Sequence, residues 1–401
     1  MPSGGGARAG EALDAAIIGA GPFGLSVAAH LRGAAVRTFG HPMATWRTCM
    51  PQDMVLRSAW DETSLSAPGR AGSIDEWVES TGEPRTEPIP LQLFLRYADW
   101  FRERYAGDVD PHDVARLEPN GDRYCVTTGA GEAFMTERVV VAVGVTPFPY
   151  VPRALRELFG DRLATAGTAD EAERHAGRRL LVIGGGQAGL ESAGLAARAG
   201  ADVELVTRSR VRWFADHEPE KPRGALGRRL YRLAYPAVGY GPPPLNRLVL
   251  HPDLFAALPQ AARHKLSRRL LRPGGSPWLR PLVEGKVRVR EHCTVAQAER
   301  HGEGFTVSLT DGGKLQVDDV WIACGYRFDL NRLGFIAPSL RDRIATQDGW
   351  PVLNRFFRST DRRMFFVGYP AEGRFGPISR FVLGTEFTAV RVAEAIKGEL
   401  G

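Results

Sequence analysis

The turn Gly19-Ala20-Gly21-Pro22-Phe23-Gly24 follows the apolar run Ala15–Ile18, and the same pattern returns as Gly184-Gly185-Gly186-Gln187-Ala188-Gly189 after Leu180–Ile183. Both are GxGxxG. Each apolar run is expected to be a buried strand, each turn to open a helix (Leu25–Arg32 and Leu190–Arg198), and each helix to lead into a second strand (Ala35–Phe39 and Val203–Thr207). That context separates a dinucleotide site from an ordinary glycine-rich loop. The first glycine allows a tight turn, the second lets backbone approach a pyrophosphate, and the third lets helix and strand pack closely. The pyrophosphate then rests on the helix N-terminus. A chain built twice on this plan is expected to be α/β, with two Rossmann-like dinucleotide-binding domains, the second inserted in the first. The expected boundaries are a flexible 1–13, a first domain of 14–150 with 320–401, and a second of 151–319.

The 401 residues are enough for two or three domains, and 43% hydrophobic with 24% charged residues argues against disordered, collagen-like or coiled-coil chains. Cys49, Cys125, Cys293 and Cys324 contain no CxxC, which argues against a disulfide scaffold, a zinc ribbon or a dithiol centre. A reducing, cytoplasmic setting is expected. The longest apolar run, Ala15–Leu31, is broken by Gly19, Gly21, Pro22 and Gly24, so neither a signal peptide nor a membrane span is expected. The net charge of +6 comes from 52 Lys+Arg against 46 Asp+Glu, with arginines crowded between Arg208 and Arg290. They read either as solvated helix faces or as attraction for an anionic cofactor or substrate. No aromatic–basic recognition motif accompanies them, so nucleic acid is not expected as a partner. GxSxG and HExxH are absent and the nine histidines form no ligand-spaced cluster, so neither a serine triad nor a metal is expected.

Two dinucleotide sites in one chain imply an electron relay, for which bound FAD and diffusible nicotinamide are the natural pair. At the end of the second unit's strand stand Arg208 and Arg210, with no acid. Two guanidiniums there suit a 2′-phosphate, which favours NADPH over NADH; the alternative is that one merely lies along the surface. In the first unit the strand ends at Gly40, where an acid for the adenosine ribose is expected; His41 or backbone stands in for it, and FAD is assigned there. Later runs ending at Gly144 and at Gly325-Tyr326 read as buried strands closing on glycine.

Phe39–Ser58, Gly184–Ala193 (GGGQAGLESA) and Phe366–Ala389 together resemble the class B single-component flavoprotein monooxygenases, most of all the FAD-dependent urate hydroxylase-like branch. The resemblance runs from Asp14 to about Ile396. It implies that NADPH reduces FAD, that O2 adds to give a C4a-hydroperoxide, and that one oxygen passes to a small nitrogenous, heteroaromatic or sulfur-containing molecule. Ala323-Cys324-Gly325-Tyr326 stands where such proteins return from the NADPH to the FAD domain. Two family strings are missing. Ala166 and Gly167 replace a His-Ser or His-Thr pair, which speaks against ketone oxygenation. Met54–Glu62 replaces the string of ornithine and lysine N-hydroxylases, which speaks against a siderophore diamine.

The resemblance places Trp46 and Arg47 at the flavin, although Trp46 suits a core equally well. Met54, Arg57 and Ser58 are the candidate catalytic residues. Arg57 lies in an apolar string where an unpaired guanidinium is costly to bury, so it meets either a cofactor oxygen or Asp61. Further candidates for the cofactors are Gln187, Gly325, Tyr326, Gly368, Gly376 and Pro377. The last two precede an expected helix over 378–396, whose N-terminus either faces the pyrimidine edge of the flavin or only packs. The segment 213–282, with Gly239–Asn246 (GYGPPPLN) and Trp278–Leu282 (WLRPL), either covers the substrate or is a helical excursion. As a cover, its arginines favour an anionic substrate or an acidic carrier. An NADPH-dependent reductase serving quinone, dye or protein is the alternative enzyme, and a nucleotide-sensing protein the non-catalytic one.

Overall fold

A computed structural model describes residues 12–165, 168–214 and 248–400. The opening residues, Ala166-Gly167 and the GYGPPPLN part of the expected cover lie outside them. In chain order the first unit comprises β1 (Ala15–Ile18), α1 (Pro22–His30), β2 (Val36–Phe39), α2 (Ala44–Thr48), β3 (Val109–Asp110) and β4 (Val139–Val141). The second comprises β5 (Leu163–Thr165), β6 (Arg179–Ile183), α3 (Gln187–Arg198), β7 (Asp202–Val206), α4 (Gln260–Leu270), β8 (Arg288–Arg290) and β9 (Asp319–Ile322). The chain then returns through β10 (Met364–Phe366), α5 (Glu372–Phe375) and α6 (Gly384–Lys397).

The two sheets are parallel throughout and match strand for strand: β10-β4-β1-β2-β3 and β5-β9-β6-β7-β8. Each also has a three-stranded antiparallel sheet between its last two core strands, over 114–136 and 295–317. The repeat is therefore far longer than the glycine turns. Central strands such as Val139–Val141 and Leu180–Ile183 are apolar runs buried on both faces, as parallel sheets covered by helices require. α1 is buried nearly all round because α6 packs on it.

Both Rossmann helices begin earlier than expected, at Pro22 and Gln187, with Gly21 and Gly186 as N-caps. The last residues of each turn already have helical backbone, and Pro22 suits a first position whose N–H has no intrahelical acceptor. The run ending at Tyr326 is two strands rather than one: Lys314–Val317 and β9 meet at Asp318, whose carboxylate Arg179 holds at 2.6 Å. Of the expected cover, WLRPL packs on the second unit through Leu279, buried in its core, with Trp278 and Leu282 partly buried there and Arg280 and Pro281 exposed. Leu279 and Val283 are buried against α3, where Leu282 Cβ would lie 2.9 Å from a Cβ at Gly194.

The expected helix over 378–396 is broken. Pro377–Arg380 forms a single 3-10 turn, Phe381 is extended (φ −111°, ψ 148°), and α6 starts only at Gly384. The close approach of Gly384 to the Ile378 carbonyl, where a Cβ would stand at 2.2 Å, ties the two pieces together.

Candidate functional site

The two glycine turns have the same local construction. Gly19 (φ 111°) and Gly184 (φ 133°) sit so close to the ends of β4 and β9 that a Cβ would fall 2.4 Å from the Ala142 carbonyl oxygen and 2.3 Å from that of Ala323. Gly24 and Gly189 pack on the carbonyls of Gly19 and Gly184, where a Cβ would meet oxygen at 1.9 and 1.8 Å. Only glycine fits these four places. Gly21 differs: a Cβ there would meet no atom within 4 Å, because it borders open space.

That space is a cavity of about 740 Å³, within the size range of cofactor pockets. It starts at Gly19 and Gly21, passes Gly40, His41 and Asp113 on one side and Ala142–Pro147 on another, and continues to Trp46, Met50, Tyr326, Gly368, Tyr369, Arg380 and Val382. Among the expected residues, Gly19, Gly21, Trp46, Tyr326 and Gly368 line it. Trp46 also packs on Phe94, ring centroids 4.8 Å apart, so it serves core and cavity together.

Other expected residues lie elsewhere. Arg47 turns to Asp99, both of whose oxygens it reaches at 2.6 and 2.7 Å. Gly376 and Pro377 sit behind the wall, Gly376 against the Phe255 ring. The expected helix begins only at Gly384, and Ser379, Arg380 and Val382, which precede it, line the cavity. Met54 packs into the cluster around Phe94, and Ser58 pairs with Thr63 at 2.9 Å. Arg57 is exposed rather than buried in its apolar string, its guanidinium 4.4 Å from the ring centre of Phe214 and 5.9 Å from that of Phe381. None of these three lines the cavity.

Two cavity residues were not legible in the sequence. Asp113 reaches the strand end where the first unit lacks an acid, its Oδ1 3.7 Å from where a Gly40 Cβ would stand. Arg380 brings a positive charge to the far end. Its Nε donates to Glu372 Oε2, its guanidinium lies 4.7 Å from the Tyr369 ring centre, and the Tyr369 hydroxyl is buried with no hydrogen-bond partner among the described residues. Burial pushes the Glu372 carboxyl up, and the carboxylate in turn holds Arg380 above its usual range. Asp113 belongs to no motif and is brought to Gly40 by the fold; Arg380 lies within the C-terminal string of the resemblance and is singled out only by its contacts with Glu372 and Tyr369.

In the second unit Gly186 borders comparatively open space, with Pro273 Cβ 3.7 Å from a Cβ placed there. The Gln187 carbonyl oxygen accepts from Ser276 N and Oγ at 2.8 and 3.0 Å, and its amide donates to Glu191 at 3.3 Å. Burial pushes the Glu191 carboxyl up to about 7. Burial likewise raises the Tyr326 phenol, followed by the charge of Glu191, which relates this helix to the cavity's far end. Asp53 and Arg198 join the units at 2.6 Å. Arg208 and Arg210 are exposed at the end of β7 and have no ion pair among the described residues. Gly325 (φ 89°) accepts through its carbonyl from Tyr150 N at 2.8 Å, so the chain's outward and return crossings run side by side.

Residues 13–220 match the pyridine nucleotide-disulphide oxidoreductase family. Over 391 residues the chain is 26% identical to a probable indole-3-pyruvate monooxygenase, YUCCA3, of Arabidopsis thaliana, covering 90% of this chain and 83% of the relative. An indole-3-pyruvate monooxygenase of Oryza sativa, YUCCA1, is 26% identical over 341 residues, 78% of this chain and 76% of the relative. In structure the chain is similar to the ornithine N-hydroxylase of Kutzneria sp. 744, solved with reduced FAD, NADP⁺ and L-ornithine (TM-score 0.73, 16% identity, 98% of this chain and 100% of that one). It is also similar to the bacillithiol disulfide reductase of Staphylococcus aureus (TM-score 0.63, 15% identity, 98% and 100%). These structural likenesses bear on the fold.

Proposed function

The chain belongs to the pyridine nucleotide-disulphide oxidoreductase family, and on that premise we propose that it is an NADPH- and O2-dependent FAD monooxygenase hydroxylating a small molecule at nitrogen, sulfur or a heteroaromatic carbon. One observation carries the reading: a complete dinucleotide unit occurs twice, the first turn opening on a cofactor-sized cavity and the second carrying an exposed basic strand end. Relatives named as monooxygenases over most of the chain support it. The reductase alternative has less support, because all four cysteines are free and none lies in a CxxC.

Residues 14–150 with 320–401 are assigned to FAD, and 151–319 to NADPH. When bound, FAD supplies hydride acceptance and the activation of O2. Gly19, Gly21 and the N-terminus of α1 hold its pyrophosphate, with Gly24 shaping the turn beneath them. Asp113 takes the ribose role that the strand end leaves open. Trp46 and Gly368 wall the cavity, Tyr326 closes it toward the second unit, and Arg380 sets a positive charge at the far end. Gly376 and Pro377 hold the wall from behind. Met54, Arg57 and Ser58 act there as well: Arg57, between Phe214 and Phe381, steadies the segment that carries Arg380. On the other side Gly184, Gly186, Gln187 and Gly189 hold NADPH at the N-terminus of α3, Arg208 and Arg210 fork its 2′-phosphate, and Gly325 shapes the return.

The exposed Lys265, Arg268 and Arg269 of α4 support an anionic substrate or an acidic carrier. No described helix is long and apolar enough to cross a membrane, and four free cysteines suit the cytoplasm. The test is anaerobic reduction of the FAD-loaded protein by NADPH, followed by oxygenated buffer and absorbance through time. A delayed return of oxidised flavin, hastened by substrate, supports the monooxygenase. Immediate return with stoichiometric hydrogen peroxide, whatever candidate substrates are present, sinks it in favour of the reductase.

A further inference from the structure

Beside α5, at Gly373 and Arg374, lies a second cavity, of about 40 Å³, sharing no lining residue with the large one. α4 supplies Gln260, Arg263 and His264; the hairpin and strand around Trp350 supply Gln347 and 350–353; α5 supplies Gly373 and Arg374. We propose that Arg263 and Arg374 form a binding site here for a small oxyanion, a phosphate or a carboxylate group, clamped between α4 and the C-terminal part of the first unit.

The two guanidiniums face one space without a carboxylate between them. Nε of Arg263 and Nε of Arg374 are both buried with no hydrogen-bond partner among the described residues. Arg263 has one contact through Nη1, to the Ala256 carbonyl at 3.1 Å. Nearby acids are committed elsewhere. Asp253 is held by both Nη atoms of Arg391 at 2.7 and 2.6 Å, Asp348 by Gln260 and, at 3.6 Å, His264, and Glu372 by Arg380. Burial lowers both guanidiniums from their usual range; at Arg374 the charge of Arg263 adds to this, and that of Asp253 opposes it.

Two half-buried like charges, each with a buried and idle Nε, are costly, and an anion with several acceptor oxygens removes both penalties. Arginine forks match carboxylate and phosphate oxygens. The volume holds about three water-sized positions, which suits such a group and not a nucleotide base.

The test is calorimetric titration and thermal melting of the FAD-saturated full chain, with inorganic phosphate and separately with acetate, at ionic strength held constant by chloride. An R208A/R210A background removes the other arginine pair to which phosphate would go. Saturable binding of one anion per chain is expected, weakened about tenfold or more by R263Q or R374Q. Response to phosphate alone assigns a phosphate site; response to acetate alone assigns a carboxylate site. In chloride R374Q should melt no lower than its parent, because it removes a like charge, whereas in saturating anion it should melt lower. Neither anion acting beyond chloride, or variants responding as their parent does, overturns the proposal. If the variants fail to fold, the titration of the R208A/R210A protein still decides it: an absence of saturable one-to-one binding is a refutation.

Discussion

At the level of single residues the most telling contrast is between Gly21 and Gly24. Alanine at Gly24 drives a methyl into the Gly19 carbonyl, so G24A should lose folded protein; at Gly21 the backbone φ of −81° and the open space accept alanine. G21A should therefore melt as a normal apoprotein yet bind FAD at least about tenfold more weakly, which flavin content after gel filtration would reveal. R208A should weaken NADPH by roughly 1.5–3 kcal/mol, the worth of a charged hydrogen bond, and leave NADH nearly unchanged. Equal losses for both cofactors would refute its phosphate role. Arg380 lines the cavity assigned to FAD, where its charge would favour anionic reduced flavin. R380M should lower the flavin midpoint potential by about 30–60 mV, the two-electron equivalent of roughly 1.5–3 kcal/mol. An unchanged potential in FAD-loaded R380M would remove Arg380 from the flavin's surroundings.

Among the elements, those with a strong local pattern were legible. Ala15–Ile18 is a strand with the expected limits; the helices after both glycine turns start earlier than expected, and the first also ends earlier, at His30. The C-terminal helix starts later than the sequence suggests because Ile378–Leu383 (ISRFVL) contains neither glycine nor proline to mark a break. The chain leaves the helical path there while Arg380 pairs with the buried Glu372, a contact no helical periodicity encodes. α3 carries a pH dependence of its own. Glu191 is raised from 4.5 to about 7, so between those values the folded chain keeps a proton that the unfolded chain has lost. Stability should fall as pH rises through this window, by on the order of 3 kcal/mol. Urea denaturation of E191Q should show a flatter profile and greater stability than the parent at pH 8. A parallel profile would place the titration elsewhere.

Across the whole molecule, the first sheet depends on both ends of the chain, because β10 pairs with β4 while α6 covers α1. A cofactor bound in its cavity should thus steady segments far apart in sequence. FAD at a hundred times its dissociation constant should stabilise the protein by about 2.7 kcal/mol, visible as a rise in melting temperature that the same FAD concentration gives G21A at only about half the size or less. The sequence by itself determined the two dinucleotide units, their order and the glycine positions, because a tight turn and close packing select one residue type at fixed spacing. Only the tertiary structure decided that the antiparallel sheets repeat as well, that Asp113 reaches the strand end lacking an acid, and that Arg380, paired with Glu372, faces the cavity. Those contacts join residues whose separation along the chain carries no period, so they arise only when the sheets and their crossings have packed.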